Sequence, residues 1–106
     1  MTRYHFVAAS RAFLLEEEPL EEVLRERVRN YAEKDKTIDF WLLERPSFLE
    51  APELAATVAS VPRPAAAMLS TDEKFITFMK LRLEFVAQGS FEAPSSAIPD
   101  PLATLA

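Results

Sequence analysis

The sequence contains no cysteine, which excludes disulfides, thiolate metal sites and cysteine nucleophiles and leaves the redox compartment unmarked. It contains a single glycine, whereas a P-loop or a dinucleotide fingerprint needs several for the backbone to approach phosphate closely. With one histidine, His5, there is no Glu-x-x-His pair for a di-iron bundle and no two-histidine zinc motif. On a strand, His5 reads as an ordinary packed or edge residue rather than a catalytic base. No apolar run approaches the ~20 residues of a membrane-spanning helix, and the stretch from Met1 to Ala9 is too short and polar for a secretory signal. The expectation is a soluble protein, used where it is made or already freed of a transit peptide. There is no basic tract either. Lys and Arg are dispersed among carboxylates at a formal net charge of −5, so the electrostatic attraction that drives nucleic-acid binding is missing. Charge alone would not hold the chain on an anionic membrane.

What is present suits one compact domain. The 106 residues are 49% hydrophobic and 27% charged, enough apolar material for a core and outside the disordered class. Tyr4 to Ala9 alternates as a strand should. Glu16, Glu17 and Glu18 precede Pro19, a proline suited to a first helical turn, and the carboxylates complement the helix dipole. From there Leu20, Val23, Leu24, Val28 and Tyr31 recur at helical spacing to about Glu33. Thr37 to Glu44 reads as a second strand, with Ile38, Phe40 and Leu42 on one face and Asp39, Trp41 and Leu43 on the other. Because both faces are mostly apolar, it is expected to be central or covered on both sides. Pro52 opens a short helix to about Ser60. Ala65 to Leu69 is brief and follows Pro64, which favours a buried strand, although alanine leans towards helix.

Ser70 to Gly89 carries two competing patterns. Phe75, Ile76, Phe78, Met79, Leu83 and Val86 form an apolar arc at helical period, while Met79 to Phe85 also alternates like a strand. The capping-box spacing of Ser70 and Glu73 and the placement of Gly89 as a C-terminal cap favour helix throughout. Residues 91–106, with Pro94, Pro99 and Pro101, read as an extended tail on a globular body of residues 1–90, pinned by Phe91, Ile98 and Leu102. The fold expected is α+β, a single domain with a small antiparallel sheet of three or four strands flanked by helices.

The acidic run Glu16 to Glu18 with Glu21 and Glu22 suits a hard cation in principle, but a solvated helix start accounts for it, and no metal or cofactor is expected. Two placements are less easily explained. Arg82 falls in the apolar arc, where a guanidinium must snorkel, pair or reach a partner. Asp39 shares a strand face with Trp41 and Leu43. Either Asp39 and Arg82 pair inside the fold with Phe40 in the core, or the three line a partly exposed patch of the kind enriched in binding hot spots.

Phe13-Leu14-Leu15-Glu16-Glu17-Glu18-Pro19, Ile38-Asp39-Phe40-Trp41, Phe48-Leu49-Glu50-Ala51-Pro52-Glu53-Leu54, Leu81-Arg82-Leu83-Glu84-Phe85-Val86, Phe91-Glu92-Ala93-Pro94 and Ile98-Pro99-Asp100-Pro101-Leu102 occur in order over almost the whole chain. Together they strongly resemble the small family of hypothetical chloroplast reading frames found in cyanobacteria, plastid genomes and plants. That family is associated with the oxygen-dependent magnesium-protoporphyrin IX monomethyl ester cyclase. The resemblance implies a non-catalytic accessory or assembly subunit of chlorophyll biosynthesis, not an enzyme, that binds the membrane-associated di-iron catalytic subunit. It implies that Asp39, Phe40 and Arg82 contact that partner. It also implies a location in cyanobacterial cytoplasm or plastid stroma, with thylakoid association only through the partner. A tetrapyrrole carrier, with Trp41 and the phenylalanines stacking on a macrocycle, is the alternative. The oligomeric state stays open between a monomer and a weak dimer.

Overall fold

The computed structural model describes residues 1–18 and 20–105; the expected role of Pro19 at a helix start lies outside them. Among these residues four strands, β1 (Thr2–Ser10), β2 (Phe40–Glu44), β3 (Ala65–Ser70) and β4 (Ala87–Ala93), form one sheet in the order β2-β3-β1-β4. Each neighbouring pair is antiparallel. Two α-helices, α1 (Leu20–Glu33) and α2 (Glu73–Leu83), are accompanied by a π-helical segment before α1, Phe13–Glu17, and by 3-10 turns between β2 and β3 at Ser47–Glu50 and Pro52–Leu54. The fold is the α+β domain that the sequence implies.

Both faces of the sheet are covered, and this explains its apolar strands. Alternate residues of β1 and β3 point to opposite layers. Val7, Ala9, Ala66 and Met68 meet the helices through Leu20, Leu24, Tyr31, Phe75, Ile76, Met79 and Leu83. Phe6, Ala8, Ala65, Ala67 and Leu69 meet Phe48, Leu49 and Leu54 from the 3-10 turns and Val58 and Val61 from the stretch after them, with Phe91 and Ile98. Every residue of β3 is buried, so its alanines sit in a strand because two-sided burial outweighs intrinsic helix preference. β2 shows the same two-sided packing but stands at the sheet edge, not in the centre. It begins at Phe40, three residues later than expected.

The tract from Ser70 to Gly89 is not one helix. Ser70 closes β3, and the cap is Asp72, whose carboxylate accepts hydrogen bonds from Lys74 N (3.0 Å) and Phe75 N (3.3 Å). α2 stops at Glu84, a non-glycine residue at φ 60°. There Lys80 Nζ donates to the carbonyls of Glu84 (2.9 Å) and Val86 (2.7 Å). Gly89 lies inside β4 opposite Phe6 and not at positive φ. A Cβ there would come within 2.7 Å of Phe6 Cζ and 2.9 Å of Cε1. The glycine exists to admit that ring. The short helix expected over 52–60 is a 3-10 turn followed by further turns.

The tail also begins later than the sequence suggests, because Phe91, Glu92 and Ala93 complete β4. Phe91 and Ile98 are buried pins, while Leu102 is exposed. Near its end the chain straps back across the exit of β2. Ser47 N donates to Ala103 O (2.9 Å), Leu105 N donates to Arg45 O (2.8 Å), and Pro46 and Thr104 form a β-bridge.

Candidate functional site

Asp39 stands one residue before β2, so strand alternation does not govern it. Its carboxylate turns to the helical layer, where Oδ1 accepts a hydrogen bond from the Tyr31 hydroxyl at 2.9 Å. Its carbonyl accepts from Ser70 Oγ (2.7 Å) and Thr71 N (3.1 Å), which clamps the start of β2 to the β3-to-α2 corner. Ser70 Oγ in turn accepts from Asp72 N at 2.9 Å. One buried hydroxyl thus joins Asp39 to the N-terminus of α2.

Phe40 is 3% exposed. Its ring meets Tyr31 edge-on (centroids 5.2 Å apart) and Phe75 at 5.8 Å, so its side chain offers no surface for apolar anchorage. Arg27 completes this cluster. Its guanidinium carbon lies 3.8 Å from the centroid of Phe75, 5.0 Å from Tyr31 and 5.1 Å from Phe40, a cation held among three ring faces. It donates to the Tyr31 hydroxyl (2.8 Å) and lies 3.6 Å from Asp72 Oδ2. Its Nε is buried with no hydrogen-bond partner among the described residues, leaving the rings as its surroundings. Burial pushes the Tyr31 phenol above its ordinary pKa, and the hydrogen bond to Asp39 adds to that, while the charge of Arg27 opposes it. Arg27 was not singled out in the sequence. The available signal was its register, three residues after Leu24 and four before Tyr31, which places it on the buried stripe of α1.

Arg82 is elsewhere. It is exposed near the end of α2 and forms no ion pair among the described residues. Ten residues of helix separate it from Asp72, about 15 Å along the axis. The internal Asp39 to Arg82 pair therefore does not form, because α2 runs away from the Asp39 corner. Around Arg82 stand Phe78, Leu81 and Phe85, respectively 55%, 73% and 83% exposed. Inward-facing Phe75, Ile76, Met79 and Leu83 supply the core face of the same helix, so the three exposed side chains are surplus to folding.

His5 is mostly buried on β1, its Nδ1 3.8 Å from exposed Glu73 Oε2. The acidic run near residue 17 is divided between the π-helical segment and α1. Beyond the end of β2, an open groove of about 650 Å³ is lined by Arg11, Arg45, Arg63, Glu50, Ala65 and Leu105. Among the described residues no helix is long and apolar enough to cross a membrane.

Residues 2–93 match the Ycf54 protein family. A Ycf54-like protein of Synechocystis sp. (strain ATCC 27184 / PCC 6803 / Kazusa) is 58% identical over 105 residues, which cover 99% of this chain and 79% of that protein. The chloroplastic protein YCF54 of Arabidopsis thaliana is 45% identical over 95 residues, 89% of this chain but 44% of that longer protein. The solved structure of Ycf54 from Synechocystis sp. PCC6803 superposes with a TM-score of 0.96 at 57% identity, covering 100% of this chain and 99% of that one. Ycf54 from Thermosynechococcus elongatus gives 0.91 at 53% identity, over 99% and 96% of the two chains. By sequence along most of its length and by fold, the chain belongs to the Ycf54 protein family.

Proposed function

We propose that this chain is a non-catalytic accessory subunit of the oxygen-dependent magnesium-protoporphyrin IX monomethyl ester cyclase, acting in chlorophyll biosynthesis by binding the di-iron catalytic subunit. The family resemblance supplies the system. The observation that carries a binding role is Arg82, an exposed guanidinium with no ion pair among the described residues, set among exposed apolar side chains. Arginine beside aromatic surface is the composition of a recognition hot spot. In this reading Arg82 contacts the partner, and Asp39 contributes a half-exposed carboxylate at the other end of α2. Phe40, being buried, supports the corner from within. The chain works in cyanobacterial cytoplasm or plastid stroma and reaches the thylakoid only through its partner.

Co-purification of the catalytic subunit with a tagged chain tests this. Arg82→Ala should weaken recovery about tenfold, equivalent to ~1.4 kcal/mol, with the melting temperature little changed. Unaltered recovery would count against a contact at Arg82, and no recovery with the unsubstituted chain would remove the accessory role.

The arginine-lined groove favours a second reading, a tetrapyrrole carrier, because an apolar floor with cations suits a macrocycle bearing a propionate carboxylate. Titration with the porphyrin ester while following Trp41 fluorescence discriminates the two; a flat signal eliminates the carrier.

A further inference from the structure

We infer that the gripping surface is the outer face of α2 together with Phe85, and that it receives an acidic amphipathic segment of the partner. This inference rests on the accessory role and adds the contact residues and the chemistry that fits them.

The face is built by helical register. Lys74, Phe78 and Arg82 follow at four-residue steps, and Leu81 stands beside them. Phe85 lies just past the helix end. Glu84 takes a positive φ of 60° there, a conformation that side chains of its kind rarely adopt. Lys80 holds that turn by donating to the carbonyls of Glu84 and Val86. The result sends Val86 inward, 8% exposed, and leaves Phe85 outside at 83%. The turn serves the core through Val86, but a ring displayed to solvent beside it stabilises nothing within the fold, and adjoining large apolar side chains of this kind mark contact surfaces.

Charge selects the partner. The chain as a whole carries −5, and Arg3, Arg11, Arg27, Arg29 and Arg63 each lie near a carboxylate of their own. Lys74 and Arg82, like Arg25, Lys34, Lys36, Arg45 and Lys80, have no such partner among the described residues, and of these cations only Lys74 and Arg82 share the face of α2 with Phe78. Glu73 turns towards His5, and Glu84 is exposed at the turn that ends α2. Two unneutralised cations flanking Phe78 and Leu81 on an acidic molecule complement carboxylates interspersed with apolar residues.

Asp39 and Phe40 then act as positioning residues. Asp39 through Ser70, Thr71 and Tyr31, and Phe40 through the rings of Tyr31 and Phe75, fix where α2 begins, and so the orientation of a face that they do not touch.

The test is binding of the purified catalytic subunit to the immobilised full chain. Phe78→Ser, Leu81→Ser and Phe85→Ser should each lower affinity tenfold or more while the melting temperature holds. Lys74→Glu combined with Arg82→Glu should do the same, and binding to the unsubstituted chain should weaken as salt rises. Tyr31→Phe should lower the melting temperature first and affinity second. If the unsubstituted chain binds and the α2 variants bind equally well, the assignment of this face is wrong while the accessory role stands. Tighter binding by the charge-reversed variant overturns the acidic partner. An unsubstituted chain that captures nothing removes both readings.

Discussion

The hydroxyl of Tyr31 donates to the carboxylate of Asp39 at 2.9 Å while accepting from Arg27 at 2.8 Å, so a single phenol links α1 to the entrance of β2. Asp39 is thereby committed to the fold as well as to any partner. Loss of its side chain would remove a structural bond along with surface charge.

Tyr31→Phe should destabilise the protein by about 1–2 kcal/mol, the usual effect of deleting a partly buried hydrogen bond, or several degrees in melting temperature. The pH dependence has a definite sign. The phenol is raised above its ordinary value of 10.0 by burial and by Asp39, so the folded state favours the protonated form. Its contribution is complete below pH 10 and declines as pH rises from there through the elevated folded value. Urea titrations from pH 8.5 to 11 should show a steeper alkaline loss for the unsubstituted protein than for Tyr31→Phe.

Phe40→Ala should cost about 3–5 kcal/mol, because it empties a site walled by Tyr31, Phe75 and Arg27. Calorimetry checks this. A fully stable Phe40→Ala protein would mean that the ring is not the keystone its burial indicates.

Gly89→Ala should destabilise by roughly 1–3 kcal/mol, since the new methyl overlaps the Phe6 ring and neighbours Thr57. Combining it with Phe6→Leu should recover part of the loss by clearing space above β4. Chemical denaturation of the two single variants and the double variant measures the recovery.

Asp72→Ala should lower stability by about 1 kcal/mol more than Asp72→Asn, because asparagine still caps α2 whereas alanine leaves Lys74 N and Phe75 N without that acceptor. Amide exchange localised to the first turn of α2 should accelerate in the alanine variant alone.

Much of the architecture was legible from pattern. The β1 alternation, the apolar stripe of α1 and the brevity of Ala65 to Leu69 after Pro64 all correspond to observed elements. Ser70 to Gly89 misled because two local signals coincided with a wrong reading. Ser70 has the chemistry of a cap, but its hydroxyl serves Asp39 and Asp72 at a corner. Gly89 has the chemistry of a helix stop, but what requires it is a ring on a distant strand, and one-dimensional spacing carries no record of that. At the candidate site, the place of Arg82 in an apolar arc is odd by sequence, and its side chain is exposed. Arg27 carries no such mark, because a charged residue on a helix is usually solvated and the rings that enclose it come from three different elements.

The length of α2 has a thermodynamic corollary. Because Asp39 sets where that rod begins and Arg82 stands near its far end, loss of Asp39 should act on affinity by way of Arg82, and a double-mutant cycle in the dissociation constant should return a coupling energy clearly different from zero. Damage at the near end of the helix is thus felt at the far one, although no side chain connects the two positions.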